Sequence, residues 1–132
     1  EELDKSVSVL EKYSDGNYIL MHTNSTYPSA NDRLNLRYIQ TLKERYHCLV
    51  GYSGHEQNIE PTVAAVTLGA KVIERHVTVD HELWGTDQKA SLEIGAMSMV
   101  YRRCCGVFEA IGNGTKTLDE DERTVREKLR GK

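Results

Sequence analysis

The chain has no excess of positive charge, no long apolar run and no paired-cysteine motif. Its 17 lysines and arginines are outnumbered by 20 acidic residues, for a net charge of −3. That balance gives no basis for binding nucleic acid or an anionic membrane surface. No apolar stretch approaches the roughly 20 residues that span a bilayer. The first residues also lack the charged-then-apolar pattern of a signal peptide. The three cysteines are Cys48, Cys104 and Cys105, an odd number with two adjacent and no CxxC spacing. Such usage fits reduced thiols and a cytoplasmic location better than a disulfide framework. Each cysteine reads as a small buried hydrophobe. What remains is an ordinary globular composition. With 39% apolar residues over 132 positions, the chain can bury the core of one domain or of a piece of one.

Helical and strand-like segments alternate along the chain. Residues 2–13 place Leu3, Val7 and Leu10 on one helical face, with Tyr13 close to it. Ser14-Asp15-Gly16-Asn17 is a turn. Residues 18–23 form a short, almost continuous apolar run, as expected of a strand buried on both faces. After a loop through Pro28, Asn35 can cap a helix carrying Leu36, Ile39, Leu42 and Tyr46. Residues 48–53 read as a second strand. Pro61 suits the first turn of a helix that Gly69 ends. Residues 71–77 read as a third strand. Met97, Val100, Cys104, Val107 and Ile111 keep helical spacing over 94–111, and Gly112-Asn113-Gly114 ends that helix. From Thr117 on, the chain is highly charged and too poor in apolar residues for a core of its own.

This alternation predicts an α/β fold with a parallel sheet. The strands start near 18, 48 and 71, about one β/α unit apart. Three units do not close a barrel, which takes about 250 residues. The expected architecture is therefore a partial (β/α)8 TIM barrel, its last three strands with flanking helices. On this reading residues 1–116 are the C-terminal part of the barrel domain and 117–132 a charged tail. The strands should pair in chain order with helices on one face. The other face should be an exposed apolar wall.

Two histidines stand at the ends of neighbouring strands. His55 closes Gly51-Tyr52-Ser53-Gly54-His55, and His76 follows Ile73-Glu74-Arg75. A strand, a helix and a second parallel strand bring those ends side by side, on the rim where parallel α/β folds bind ligands. Two imidazoles there can hold a divalent metal and leave positions open for substrate. A single strand-end histidine would more simply be a hydrogen-bonded structural residue. Convergence of the two rings, with ring nitrogens roughly 3–4.5 Å apart, is what metal–nitrogen distances require. Glu74 shares parity with His76, so it faces the same side and needs a partner. A structural ion pair with a group outside these three strands is the expected one. His22, His47 and His81 fit no such pattern and read as structural.

Four motifs in order carry a resemblance. They are Thr23-Asn24-Ser25-Thr26-Tyr27-Pro28, Gly51-Tyr52-Ser53-Gly54-His55, the run from Ala64 through Gly69-Ala70-Lys71 to Glu74-Arg75-His76, and Gly85-Thr86-Asp87-Gln88-Lys89-Ala90-Ser91-Leu92-Glu93. Together they resemble the sialic acid synthase family, the N-acetylneuraminate synthases with their spore-coat and legionaminate relatives. The resemblance covers nearly the whole chain. It implies a transferase of carbohydrate biosynthesis that condenses phosphoenolpyruvate with N-acetylmannosamine or a related amino-sugar aldehyde. The products would be a nine-carbon 2-keto acid and phosphate. It further implies a homodimeric parent, in which the tail leads toward an antifreeze-protein-like domain and earlier strands carry a phosphate-binding lysine. Neither that domain nor those strands lie in this sequence.

The same resemblance assigns roles. His55 and His76 match the two metal ligands, for manganese or else magnesium or cobalt. Asp87 matches a catalytic aspartate near the metal and its water, though a loop aspartate after Gly85-Thr86 would also suit a turn. Ser53 and Ser25 match residues that contact phosphoenolpyruvate. Tyr27 matches a tyrosine near the amino sugar, where an aromatic closing the loop over the core is the plain alternative. Two other functions compete. One is an inactive remnant that binds metal or ligand without turnover. The other is a different phosphoenolpyruvate-dependent keto-acid synthase of the aldolase type, which the Tyr27-Pro28 loop and the Ser53-Gly54-His55 motif disfavour.

Overall fold

The computed structural model describes residues 1–131. Helix α1 spans Glu2–Ser14 and ends where Asp15 and Gly16 turn left-handed. Only Val7 of its predicted face is buried, with Leu3 packed partly beside it, while Leu10 and Tyr13 are exposed. The helix is held instead by Asp4. Its carboxylate accepts from Arg45 at 2.8 Å and from the Tyr46 hydroxyl at 2.7 Å, both on α2 (Tyr38–Tyr46). Asn35 does not cap α2 with its side chain. It adopts a left-handed conformation, φ 45°, and its carbonyl accepts from the Tyr38 amide. His47, with φ 51°, ends α2.

Strands β1 (Ile19–Thr23), β2 (Leu49–Gly54) and β3 (Val72–Arg75) form a parallel sheet in the order β1-β2-β3. Helix α3 (Glu60–Thr67) joins β2 to β3, with Pro61 in its first turn and Gly69 just past its end at φ 102°. Leu20, Val50 and Tyr52 point to the helix side and form the core with Val7, Ile39, Leu42, Ala65 and Ala70. Burial of side chains such as Ile39 and Val50 stabilises the fold by about 1.5–3 kcal/mol each.

The opposite sheet face is layered, as the register shows. Ile19 and Leu49 pair at the N-terminal edge and are 42% and 55% exposed. Met21, Gly51 and Val72 make the next layer. Here β2 needs a glycine, because a Cβ on Gly51 would run into the Met21 sulfur and would lie 2.8 Å from the Val72 carbonyl oxygen. The third layer, Thr23, Ser53 and Glu74, is polar. The expected apolar wall is therefore confined to the lower two layers. Polar residues occupy the C-terminal end, where a site would lie.

The third strand is shorter than its sequence pattern. It breaks at His76, and β4 (Val77–Thr78) pairs in parallel with β5 (Leu92–Glu93), a further strand that two residues are too few to announce. The Leu92 amide donates to the His76 carbonyl at 2.8 Å and ties this second sheet to the break. Helix α4 follows over Ile94–Ile111 as predicted, with Val100 buried and Met97, Cys104 and Val107 half-buried. The cysteines are free, and burial together with Cys105 holds the Cys104 thiol above its usual range. The charged tail forms helix α5 (Glu120–Arg130), capped by Asp119 and without a buried residue. No helix among the described residues is long and apolar enough to cross a membrane.

Candidate active-site rim

His55 lies one residue beyond β2 and is 4% exposed. Its Nδ1 is 2.7 Å from the Asn24 carbonyl oxygen and 3.4 Å from Thr23 Oγ1. A carbonyl only accepts, so Nδ1 carries a proton, and in the neutral ring the lone pair lies on Nε2. The loop after β1 grips the same residue from both ends, because the Ser29 amide donates to the His55 carbonyl at 3.0 Å. Asn24 shapes that loop. Its Oδ1 accepts from the Thr26 amide and hydroxyl at 3.1 and 2.7 Å, and its carbonyl also accepts from Ser29. The loop contains a cis Tyr27-Pro28 bond. The Tyr27 ring packs against His55 with centroids 4.2 Å apart and planes tilted by 33°.

His76, at the break between β3 and β4, completes the cluster. Its ring centroid is 5.2 Å from that of His55 and 5.6 Å from that of Tyr27, edge-on to the tyrosine. Its Nδ1 stands 3.8 Å from Asp87 Oδ2, beyond a direct hydrogen bond. The Thr86 hydroxyl donates to the other Asp87 oxygen at 2.8 Å. Below the rings, Ser53 Oγ donates to Glu74 Oε1 at 2.7 Å. Within these strands Glu74 thus has a hydroxyl partner, and the ion pair expected with a group outside them is not tested by it. That bond commits the single Ser53 proton to a carboxylate. Ser25 lies exposed in the same loop as Tyr27. His55, His76, Tyr27 and Asp87 come together, Ser53 sits one layer beneath, and Ser25 stands at the margin.

Two of the other three histidines make structural bonds, and His47 caps the C-terminus of α2 through its backbone. The His22 ring bonds the Leu34 carbonyl at 2.7 Å, and the His81 ring bonds the Ser91 carbonyl at 3.0 Å. Among the described residues no three His, Cys, Asp or Glu side chains converge as a metal cage. What the rim offers is narrower: two adjacent imidazoles, one with its tautomer fixed to expose Nε2. That donor set fits an open divalent site completed by water and substrate oxygen, in contrast to a closed structural site.

A second constellation lies behind the rim and was not read from the sequence. Arg75 Nη1 donates to Glu56 Oε1 at 2.8 Å, to Thr62 Oγ1 at 2.7 Å and to the Asn58 carbonyl at 3.1 Å, and Nη2 donates to the Glu56 carbonyl. Tyr52 and Thr62 donate to the Glu56 carboxylate at 2.8 and 2.9 Å. The Arg75 and Glu56 side chains are 0% and 1% exposed. Gly54 makes room for this carboxylate, since a Cβ there would stand 2.7 Å from Glu56 Oε2. Burial, then the Glu56 charge, raises the Tyr52 hydroxyl well above the usual tyrosine range, and burial lowers Arg75. The one available signal was two charged residues, Glu56 and Arg75, directly beside the two histidines.

A parallel α/β sheet with a histidine pair and a facing tyrosine on its C-terminal rim is the layout of an α/β enzyme domain. Comparison with known proteins narrows the class. The chain belongs to the NeuB family, whose model matches residues 1–116. It is 40% identical to N-acetylneuraminate-9-phosphate synthase of Homo sapiens over 95% of this chain and 35% of that protein. It is 36% identical to N,N'-diacetyllegionaminic acid synthase of Campylobacter jejuni over 92% of this chain and 37% of that one. Among solved structures, an N-acetylneuraminic acid synthetase from Leptospira borgpetersenii superposes with a TM-score of 0.84 at 33% identity. The match covers 98% of this chain and 45% of that one. The chain thus spans about a third to under half the length of these relatives.

Proposed function

We propose that this chain forms the metal- and phosphoenolpyruvate-binding corner of a nonulosonate synthase. The reaction would join phosphoenolpyruvate, an N-acylmannosamine-type aldehyde and water to give a nine-carbon 2-keto acid and phosphate. The observation that carries the reading is the pair of imidazoles 5.2 Å apart with the His55 tautomer fixed by Asn24. His55 and His76 would hold the divalent ion, with manganese the first candidate for a mixed nitrogen and oxygen site. Such an ion, when bound, supplies Lewis-acid stabilisation of the oxyanion that develops on the aldehyde. Asp87, beside His76, would orient a water or ligand and balance charge. Tyr27 would offer its ring edge and hydroxyl to the amino sugar. Ser53 could donate to an anionic substrate only after its hydroxyl turns from Glu74, so its role depends on how Glu74 is satisfied in the complete site. Ser25 is the second candidate contact to phosphoenolpyruvate.

The test is a chimaera. Residues 1–116 replace the matching segment of the human relative, and condensation is followed by phosphate release with manganese, phosphoenolpyruvate and an N-acylmannosamine. The chimaera should turn over. His76→Ala should abolish turnover and weaken manganese binding, read by electron paramagnetic resonance, while leaving the denaturation midpoint nearly unchanged. A folded chimaera that binds manganese without turnover would mark the chain as a binding remnant. One that binds no manganese would remove the reading altogether.

A further inference from the structure

The Arg75–Glu56 ion pair is a poor stabilising device as built. Both side chains are buried, and Arg75 Nε is left without a hydrogen-bond partner. Desolvating two charges and orphaning a donor offsets much of what the pair gains, and well-packed apolar residues often do as well. Its location suggests another use. Glu56 follows His55, and Arg75 precedes His76. The β2–β3 ladder ends at Gly54↔Arg75, so no strand pairing fixes residues 55–58 against the chain at His76. Arg75 bonds what the ladder no longer reaches: the Glu56 carboxylate, the Glu56 carbonyl and the Asn58 carbonyl.

We propose that Arg75 and Glu56 are positioning residues that set the spacing of the His55–His76 pair from behind the rim. The proposal rests on the reading of those histidines as a metal pair. Its division of labour is specific. The loop of Asn24 and Ser29 holds Tyr27 against His55, and the buried pair holds His55 against His76. Loss of the buried pair should therefore loosen one ring contact and spare the other, which general destabilisation would not do.

The double variant Glu56→Met with Arg75→Met, and the isosteric Glu56→Gln, separate these effects in the 132-residue chain. The first readout needs no metal: nuclear Overhauser contacts between the rings. The Tyr27–His55 contact should persist and the His55–His76 contact should weaken or vanish, most in the double variant. The second is manganese affinity, which should fall about tenfold or more in the double variant, as for other outer partners of metal ligands. Should the double variant fail to fold, Glu56→Gln alone decides, with the same selective loss expected in weaker form. Unchanged ring contacts in a folded variant would overturn the proposal, as would parallel loss of both. If the unaltered chain and His55→Ala bind manganese equally poorly, the metal reading fails. The ring contacts still decide whether Arg75 and Glu56 position the histidines.

Discussion

Tyr52 lies on the helix-facing side of β2 and donates its only proton to Glu56. Burial first, and the neighbouring carboxylate second, make its ionisation harder than the ordinary value of 10.0. The folded-state pKa is thus the higher one. Its contribution to stability is fully present below about pH 10 and is lost as pH rises beyond that point, because the unfolded chain releases the proton first. Tyr52→Phe should do two things in urea denaturation followed from pH 8 to 11. At pH 8 it should cost about 1–3 kcal/mol, since Glu56 Oε2 loses a buried donor. Above pH 10 the variant should lose stability less steeply than the parent. Tyr18 and Tyr46 are raised as well, by burial and by the bond to Asp4 respectively, so the difference between the two curves is what isolates Tyr52. Equal slopes would mean that Tyr52 is not the protonated donor placed here. At this scale the sequence singled out the histidines because strand ends and parity are readable along the chain. It did not reveal Asn24 and Ser29 as their holders, since hydrogen bonds between a loop and a residue some 30 positions away leave no periodic trace.

The secondary-structure elements separate those that position the rim from those that do not. Gly51 sits in the middle strand where Met21 crosses from β1. Gly51→Ala should destabilise the sheet by about 1–3 kcal/mol, as overpacking does, visible as a lower midpoint with an unchanged denaturant slope. A cost near zero would show that Met21 moves aside freely. Helix α5 is the opposite case. With no buried residue, removal of 118–132 should leave stability within about 0.5 kcal/mol of the parent, and a larger loss would reveal packing that this helix does not show. The strong patterns were legible: α4 has the limits its apolar spacing predicts, and β1, β2 and β3 lie where the apolar runs fall. Two features were not. The strand break at His76 interrupts a continuous run of strand-forming residues, and β5 is too short to show alternation. Both depend on the β4–β5 pairing, a tertiary contact that leaves no local signal.

At the scale of the whole molecule, the sheet presents one packed face and one open face. Helices cover Leu20, Val50 and Tyr52, while Ile19 and Leu49 remain largely exposed on the other side. A parallel sheet ordinarily has both faces covered, so the chain by itself carries an apolar surface that binds water at a cost. It should accordingly be marginally stable and should enhance the fluorescence of an apolar dye. The same geometry limits what it can do alone. The rim brings two histidines, an aspartate and a tyrosine together, and among the described residues the cation–π contacts of lysine and arginine fall on Tyr13, Tyr46 and Phe108, away from those rings. For the condensation proposed above, holding both reactants in register would supply about 7–11 kcal/mol of the barrier reduction, as in well-oriented reactions, more than the His55–His76 corner is expected to supply by itself. The purified 132-residue chain, mixed with manganese, phosphoenolpyruvate and N-acetylmannosamine, should therefore release no phosphate above a His55→Ala control. Manganese binding should still distinguish the two proteins. Measurable release from the unaltered chain alone would show that the His55–His76 corner positions both substrates unaided.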